Sequence, residues 1–148
     1  MKSEIKWTDK MHFSAKIRQH EHGMDAKAES GGEDSAPSPK ELLLSSIAGC
    51  TAMDVVSLMK KMRVDFTEFR VSAEAETTES HPRVFKVVQL KFLVNGGAPD
   101  LEKIKKSVDM SLTKYCGVSA MVSKVSPLEY EIVINGQVAA SGKAHFEL

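Results

Sequence analysis

The sequence predicts an α+β domain, and three observations predict it. A largely apolar run from Leu42 to Met59 carries a single charge, Asp54, and is led by a helix-start signature. Two segments beyond it, around 69–76 and 84–94, alternate apolar and polar residues as half-buried strands do. A second helical periodicity, Leu101, Ile104, Val108 and Leu112, then leads into a last alternating stretch that ends at Ile134. Strand, long helix, hairpin, helix, strand is an α+β order.

Each element has its own signal. Ile5, Trp7, Met11, Phe13 and Ile17 are interleaved with polar residues, which suits early strands. Residues 28–39 are small, polar and punctuated by Gly31, Gly32, Pro37 and Pro39, so they read as a loop. The loop ends in Ser38-Pro39-Lys40-Glu41, a capping box with Pro at the first helical position. The helix should run to about Met62, where Lys60, Lys61 and Arg63 complement its negative end. Ala48, Gly49 and Ala52 form a small-residue patch that would admit a second helix. Phe69, Val71, Ala73 and Ala75, and then Val84, Val88, Leu90, Phe92 and Val94, keep one parity each and predict an antiparallel hairpin turned at Ser80-His81-Pro82. Asn95–Asp100 breaks the second strand and caps a helix running through Tyr115. A short helical turn, Val118–Val122, and a strand with Leu128, Tyr130, Ile132 and Ile134 close the series.

Composition narrows the function without choosing it. The 148 residues, 42% hydrophobic and 27% charged, suffice for one domain with a real core. Twenty basic residues balance twenty acidic ones, so the electrostatic footprint of a nucleic-acid or anionic-membrane binder is missing. Two cysteines are too few for a secreted disulfide scaffold. Eight Met residues and a charged start, Met1–Trp7, point to the cytoplasm. The Leu42–Met59 run has the length of a membrane span, but Ser45, Ser46, Thr51, Ser57 and Asp54 interrupt it. It reads better as a helix buried on nearly all sides of a compact protein or dimer.

The residues with chemistry are few. Cys50 lies midway along the long helix, where a cysteine most often packs as a small hydrophobe. Cys116 sits at the break between two helical segments, where the N–H groups opening the second would favour a thiolate. Sixty-six residues separate them, which excludes a CxxC redox pair or a zinc knuckle. If the topology brings them together they make a peroxidatic and a resolving thiol. A reactive Cys50, far from the helix end, needs a nearby cation, and of Arg18, Arg63, Arg70 and Arg83 the best placed is Arg18. His20 and His22 share one side of an extended segment, yet no third ligand accompanies them, and a solvated polar loop is the plainer reading. No GxGxxG, P-loop or GxSxG motif is present.

Two motifs carry a resemblance. Ser38-Pro39-Lys40-Glu41-Leu42-Leu43-Leu44-Ser45-Ser46-Ile47-Ala48-Gly49-Cys50-Thr51-Ala52-Met53-Asp54-Val55-Val56 resembles the first-cysteine helix of the OsmC/Ohr superfamily. Lys114-Tyr115-Cys116-Gly117-Val118-Ser119-Ala120-Met121 is similar to its second-cysteine motif, and Glu79-Ser80-His81-Pro82-Arg83-Val84-Phe85 to its OsmC-like subgroup. The resemblance implies one OsmC-like domain over 1–148, with antiparallel sheets packed on long central helices in an intertwined homodimer. It implies reduction of hydroperoxides, organic ones especially. Cys50 would be oxidised to a sulfenic acid, Cys116 would close the disulfide, and an external thiol would reopen it. No cofactor, metal, nucleic acid or membrane enters that chemistry. The family pattern sets a Glu ten residues before the first Cys, paired with an Arg. Here that position is Lys40, and Glu41, a step of roughly 100° around the helix, belongs to the capping box. The cysteine pair carries over, while Lys40 stands where the Arg–Glu pair has its Glu and no Arg here is matched to its partner. That difference motivates the rival expectation, a non-catalytic dimer binding a hydrophobic small molecule on the same fold. A redox-sensing regulator would use the same cysteines but lacks the charge to bind DNA.

Overall fold

The early alternation resolves into three strands, β1 (Glu4–Asp9), β2 (His12–Ile17) and β3 (His20–Met24), paired antiparallel in the order β1-β2-β3. The computed structural model describes residues 1–147, in two compact units that divide between Leu43 and Leu44. This sheet belongs to the first. Segment 20–22, expected as a polar loop, is strand β3: its backbone pairs with Ala15, Lys16 and Ile17 of β2, leaving His20, Glu21 and His22 exposed. Pairing with a strand already in place outweighs the low strand propensity of polar side chains.

The Gly/Ser-rich loop that follows is organised by one carboxylate. Buried Asp25 accepts hydrogen bonds from the backbone N–H groups of Ala26, Glu33 and Ser35 and from the Ser35 hydroxyl, at 2.7–3.1 Å. These donors hold its carboxyl well below the ordinary value, at about 2. Gly32 is needed there, because a Cβ would lie 1.8 Å from the Ala26 carbonyl oxygen.

Helix α1 spans Pro39–Lys61 and begins as the sequence predicts. The Glu41 carboxylate accepts from the Ser38 N–H at 2.7 Å, while Ser38 Oγ accepts from the Glu41 N–H at 3.4 Å, a reciprocal capping box. Its apolar length would cross a membrane by composition alone, with a mean hydropathy of 1.7. Expected to be covered on nearly all sides, the helix buries only one stripe in the single chain: Ile47, Thr51, Val55 and Met59, each four residues from the last. Space beside Gly49 is open: apart from its chain neighbours and the helix's own backbone, no described atom lies within 4 Å of a Cβ built there.

In the second unit β4 (Glu68–Thr77) and β5 (Phe85–Asn95) form the predicted hairpin. The register slips between Ala75 and Thr77, so Phe85 is buried where the parity rule placed Val84. Asp100 caps α2 (Leu101–Met110) by accepting from the Lys103 N–H at 3.1 Å. The predicted single helix through Tyr115 instead ends in a π-helical turn, Ser111–Tyr115, closed by the Cys116 N–H donating to the Ser111 carbonyl at 3.0 Å. Helix α3 (Gly117–Ser123) and strand β6 (Leu128–Ile134) follow.

Strand β6 pairs with β5 in parallel, within a sheet whose other pairings are antiparallel. The helical segments between them carry the chain back to the start of β5, and only such a crossover makes a parallel neighbour. A seventh strand, β7 (Gln137–Lys143), completes the order β4-β5-β6-β7. It turns back at Asn135-Gly136, both with left-handed φ (48° and 81°), which suits the right-handed twist of a two-residue hairpin. One face of this sheet carries Val88, Leu90, Phe92, Val94, Tyr130 and Ile132 into a core shared with Ile47, Val55 and Met59 of α1 and Ile104, Val108 and Leu112. All are at most 3% exposed.

Candidate functional site

Where α1 runs over the second unit it sets two chemical side chains on one face. Cys50 and Asp54 are one turn apart, so both point to the same side. Asp54 Oδ2 accepts a hydrogen bond from the buried Ser111 hydroxyl at 3.0 Å. Ser111 opens the π-helical turn, and the residue that ends this turn is Cys116. The extra backbone residue of the π turn thus presents Ser111 and Cys116 toward α1.

Cys50 Sγ, Cys116 Sγ and a carboxylate oxygen of Asp54 lie within 4.8 Å of one another. The two cysteines, 66 residues apart in sequence, therefore meet. Both are free thiols, Cys50 half-buried and Cys116 buried. Cys116 is the N-cap of α3: its sulfur accepts from the Ser119 N–H at 3.3 Å and lies 3.1 Å from Ser119 Oγ. Those two contacts favour the thiolate, as the sequence suggests for the start of a short helix. They lose. Burial, joined by the neighbouring Cys50 thiol, pushes the Cys116 thiol up to about 11. A buried anion must give up more hydration than one N–H and one hydroxyl return.

Asp54 and Ser111 were not singled out as site residues from the sequence. Asp54 had a usable signal, as the sole charge in an 18-residue apolar run and one helical turn from Cys50. Ser111 had none, since only the π turn aims it. Among the described residues no ion pair reaches Asp54. Arg18 occupies the left-handed turn after β2 (φ 56°), is exposed and forms no ion pair among the described residues. Lys40 is exposed in the first turn of α1. His20 and His22 gather no third ligand among the described residues.

The OsmC-like protein family model matches residues 32–131, which include both cysteine motifs and the whole of α1. The chain belongs to the OsmC family. This OsmC-like chain is 33% identical over 135 residues to protein YhfA of Escherichia coli K12, an alignment that covers 90% of the chain and 98% of YhfA. Among solved structures it is similar to a hypothetical protein from Aquifex aeolicus VF5, with a TM-score of 0.78, 24% identity and coverage of 99% and 97% of the two chains. It is also similar to an organic hydroperoxide resistance protein from Elizabethkingia anophelis, with a TM-score of 0.63, 15% identity and coverage of 89% and 92%. At these identities the two structures establish the OsmC-like fold, which is the α+β fold that the sequence predicts.

Proposed function

We propose that this OsmC-like chain is a thiol-dependent hydroperoxide reductase, with Cys50 the peroxidatic and Cys116 the resolving residue. The observation that carries the reading is the meeting of two free thiols within 4.8 Å. Family membership and the hydroperoxide resistance proteins that share the fold support organic hydroperoxides as the substrate class.

The Cys50 thiolate attacks a peroxide oxygen and the O–O bond breaks. The sulfur becomes a sulfenic acid and the alcohol leaves after taking up a proton. Cys116 sulfur then displaces the sulfenic hydroxyl, which departs as water with the Cys116 proton, and an S–S bond forms. A reduced external thiol reopens it by exchange. The raised Cys116 thiol fits the second role, since at neutral pH it supplies little thiolate to attack the peroxide itself.

The chain works as one OsmC-like domain in a cytoplasmic homodimer. Support for the dimer is the coverage of α1: 22% of its apolar window is buried, and Leu43 and Met53 are exposed. A second copy would cover that surface. The test is intact mass and a non-reducing peptide map after one equivalent of organic hydroperoxide. Loss of two hydrogens with a Cys50–Cys116 crosslink is expected, and sulfenic acid should accumulate in Cys116→Ser. Unreacted thiols would refute the peroxidase reading. They would leave a dimer binding a hydrophobic ligand, a reading favoured by the exposure of Met53, Tyr115 and Met121 near the cysteines in sequence. Native mass spectrometry would show such a ligand.

A further inference from the structure

The peroxidase reading uses two of the three side chains gathered between α1 and the π turn, and Asp54 has no part in it. The carboxylate is ordered: one oxygen takes the Ser111 hydroxyl, and no cation pairs with it among the described residues. Neither thiol forms a hydrogen bond with it, although all three donor atoms lie within 4.8 Å of one another. The two thiols hydrogen-bond each other, so the carboxylate is the one of the three groups that neither sulfur engages.

The chemistry of the three donors is that of a site for a cation. Ligands at about 2.3 Å (sulfur) and 2.0–2.2 Å (oxygen) from a tetrahedral ion stand roughly 3.5–3.8 Å apart, inside the 4.8 Å that bounds the three donor atoms here. Two thiols with one carboxylate suit a borderline-soft ion and not magnesium or calcium, which take oxygen ligands. Cys50 and Asp54 come from consecutive turns of one helix, and Cys116 is the N-cap of α3. The Ser111 bond stands where an outer hydrogen bond normally orients a ligating carboxylate.

We propose that the reduced Cys50–Asp54–Cys116 cluster is a binding site for a thiophilic divalent cation of the zinc class, with its fourth position open to water. This goes beyond the peroxidase reading and revises the expectation that no metal is involved. Binding is not a redox step. The ion displaces both thiol protons to solvent and forms two metal–sulfur bonds and one metal–oxygen bond. The same sulfurs cannot be joined to each other and ligate the ion as thiolates, so a disulfide and a bound metal exclude one another.

The experiment titrates the reduced full-length chain with Co²⁺ under anaerobic conditions, then adds Zn²⁺. We expect a thiolate-to-cobalt charge-transfer band that saturates at one ion per chain and is abolished by Zn²⁺. The band should fall by at least half in Cys50→Ser and in Cys116→Ser. Asp54→Asn should weaken the affinity by about 10–100-fold, and Ser111→Ala, which keeps every ligand, by about tenfold. Absence of the band at stoichiometric Co²⁺ overturns the proposal, as does affinity unchanged in both Asp54→Asn and Ser111→Ala. Equal metal uptake by the Cys50→Ser/Cys116→Ser double variant would assign the ion to groups such as His20 and His22 and would also overturn it. Peroxide consumption, measured separately on the metal-free chain, decides the peroxidase reading independently.

Discussion

Cys116 should be the slower of the two thiols toward an alkylating agent, and its pH dependence should show why. Its thiol is lifted from 9.0 to about 11, chiefly by burial and then by Cys50. At pH 7 a thiol of pKa 9 is roughly one part in a hundred thiolate, and one of pKa 11 roughly one part in ten thousand. Because the thiolate is the nucleophile, Cys116 should react with iodoacetamide at least about 100-fold more slowly than an unfolded cysteine at that pH. Its rate should rise about tenfold per pH unit with no plateau below pH 10. The stability consequence has a fixed sign. A raised folded pKa means the native state holds the proton more tightly. That contribution is therefore complete below pH 9 and is lost as pH climbs toward 11, by roughly 3 kcal/mol for two units. Peptide mapping after timed alkylation gives the rate for each cysteine, and chemical denaturation at pH 8 and 10.5 gives the stability. A Cys116 rate equal to that of an unfolded cysteine at pH 7, or a plateau near pH 9, would refute the claim that burial dominates its contacts with Ser119.

Other perturbations follow from the same geometry. Ser119→Ala removes a contact that lowers the Cys116 pKa, so alkylation of Cys116 at pH 8 should slow further while that of Cys50 is unchanged. Gly32→Ala places a Cβ 1.8 Å from a carbonyl oxygen and should cost about 1–3 kcal/mol or more by urea denaturation. Stability should fall with pH between the ordinary Asp value of 3.8 and about 2 as Asp25 takes up a proton, and Asp25→Asn should flatten the curve of melting temperature in that window. Gly142→Ala would set a Cβ 2.6 Å from the Tyr130 hydroxyl, which donates to Asp109 at 2.5 Å. About 1–3 kcal/mol should be lost, with a shift in the tyrosine absorption spectrum.

What could be read from the chain, and what could not, follows the range of the interaction. The capping box of Ser38 and Glu41, the Asp100 cap and the β4–β5 hairpin involve residues close in sequence, and they stand where the pattern puts them. Strand β7 has no alternation in Val138-Ala139-Ala140-Ser141-Gly142 to mark it, although Asn135-Gly136 before it is a local hairpin signal. The parallel pairing of β5 with β6 has no local signal. It depends on where the chain emerges after its helical crossover.

The site shows the same division in sharper form. That Cys50 and Cys116 are chemically capable is visible in their residue type, while their meeting depends on a π turn that no propensity announces. Asp54 is the intermediate case. A charge in the middle of an apolar helix reads as an interruption that argues against a membrane, yet a half-buried carboxylate also needs a partner to offset its lost hydration. Ser111 offsets part of it here. The question to ask of such a charge is therefore which side chain one turn away shares its face, and on α1 the answer is Cys50.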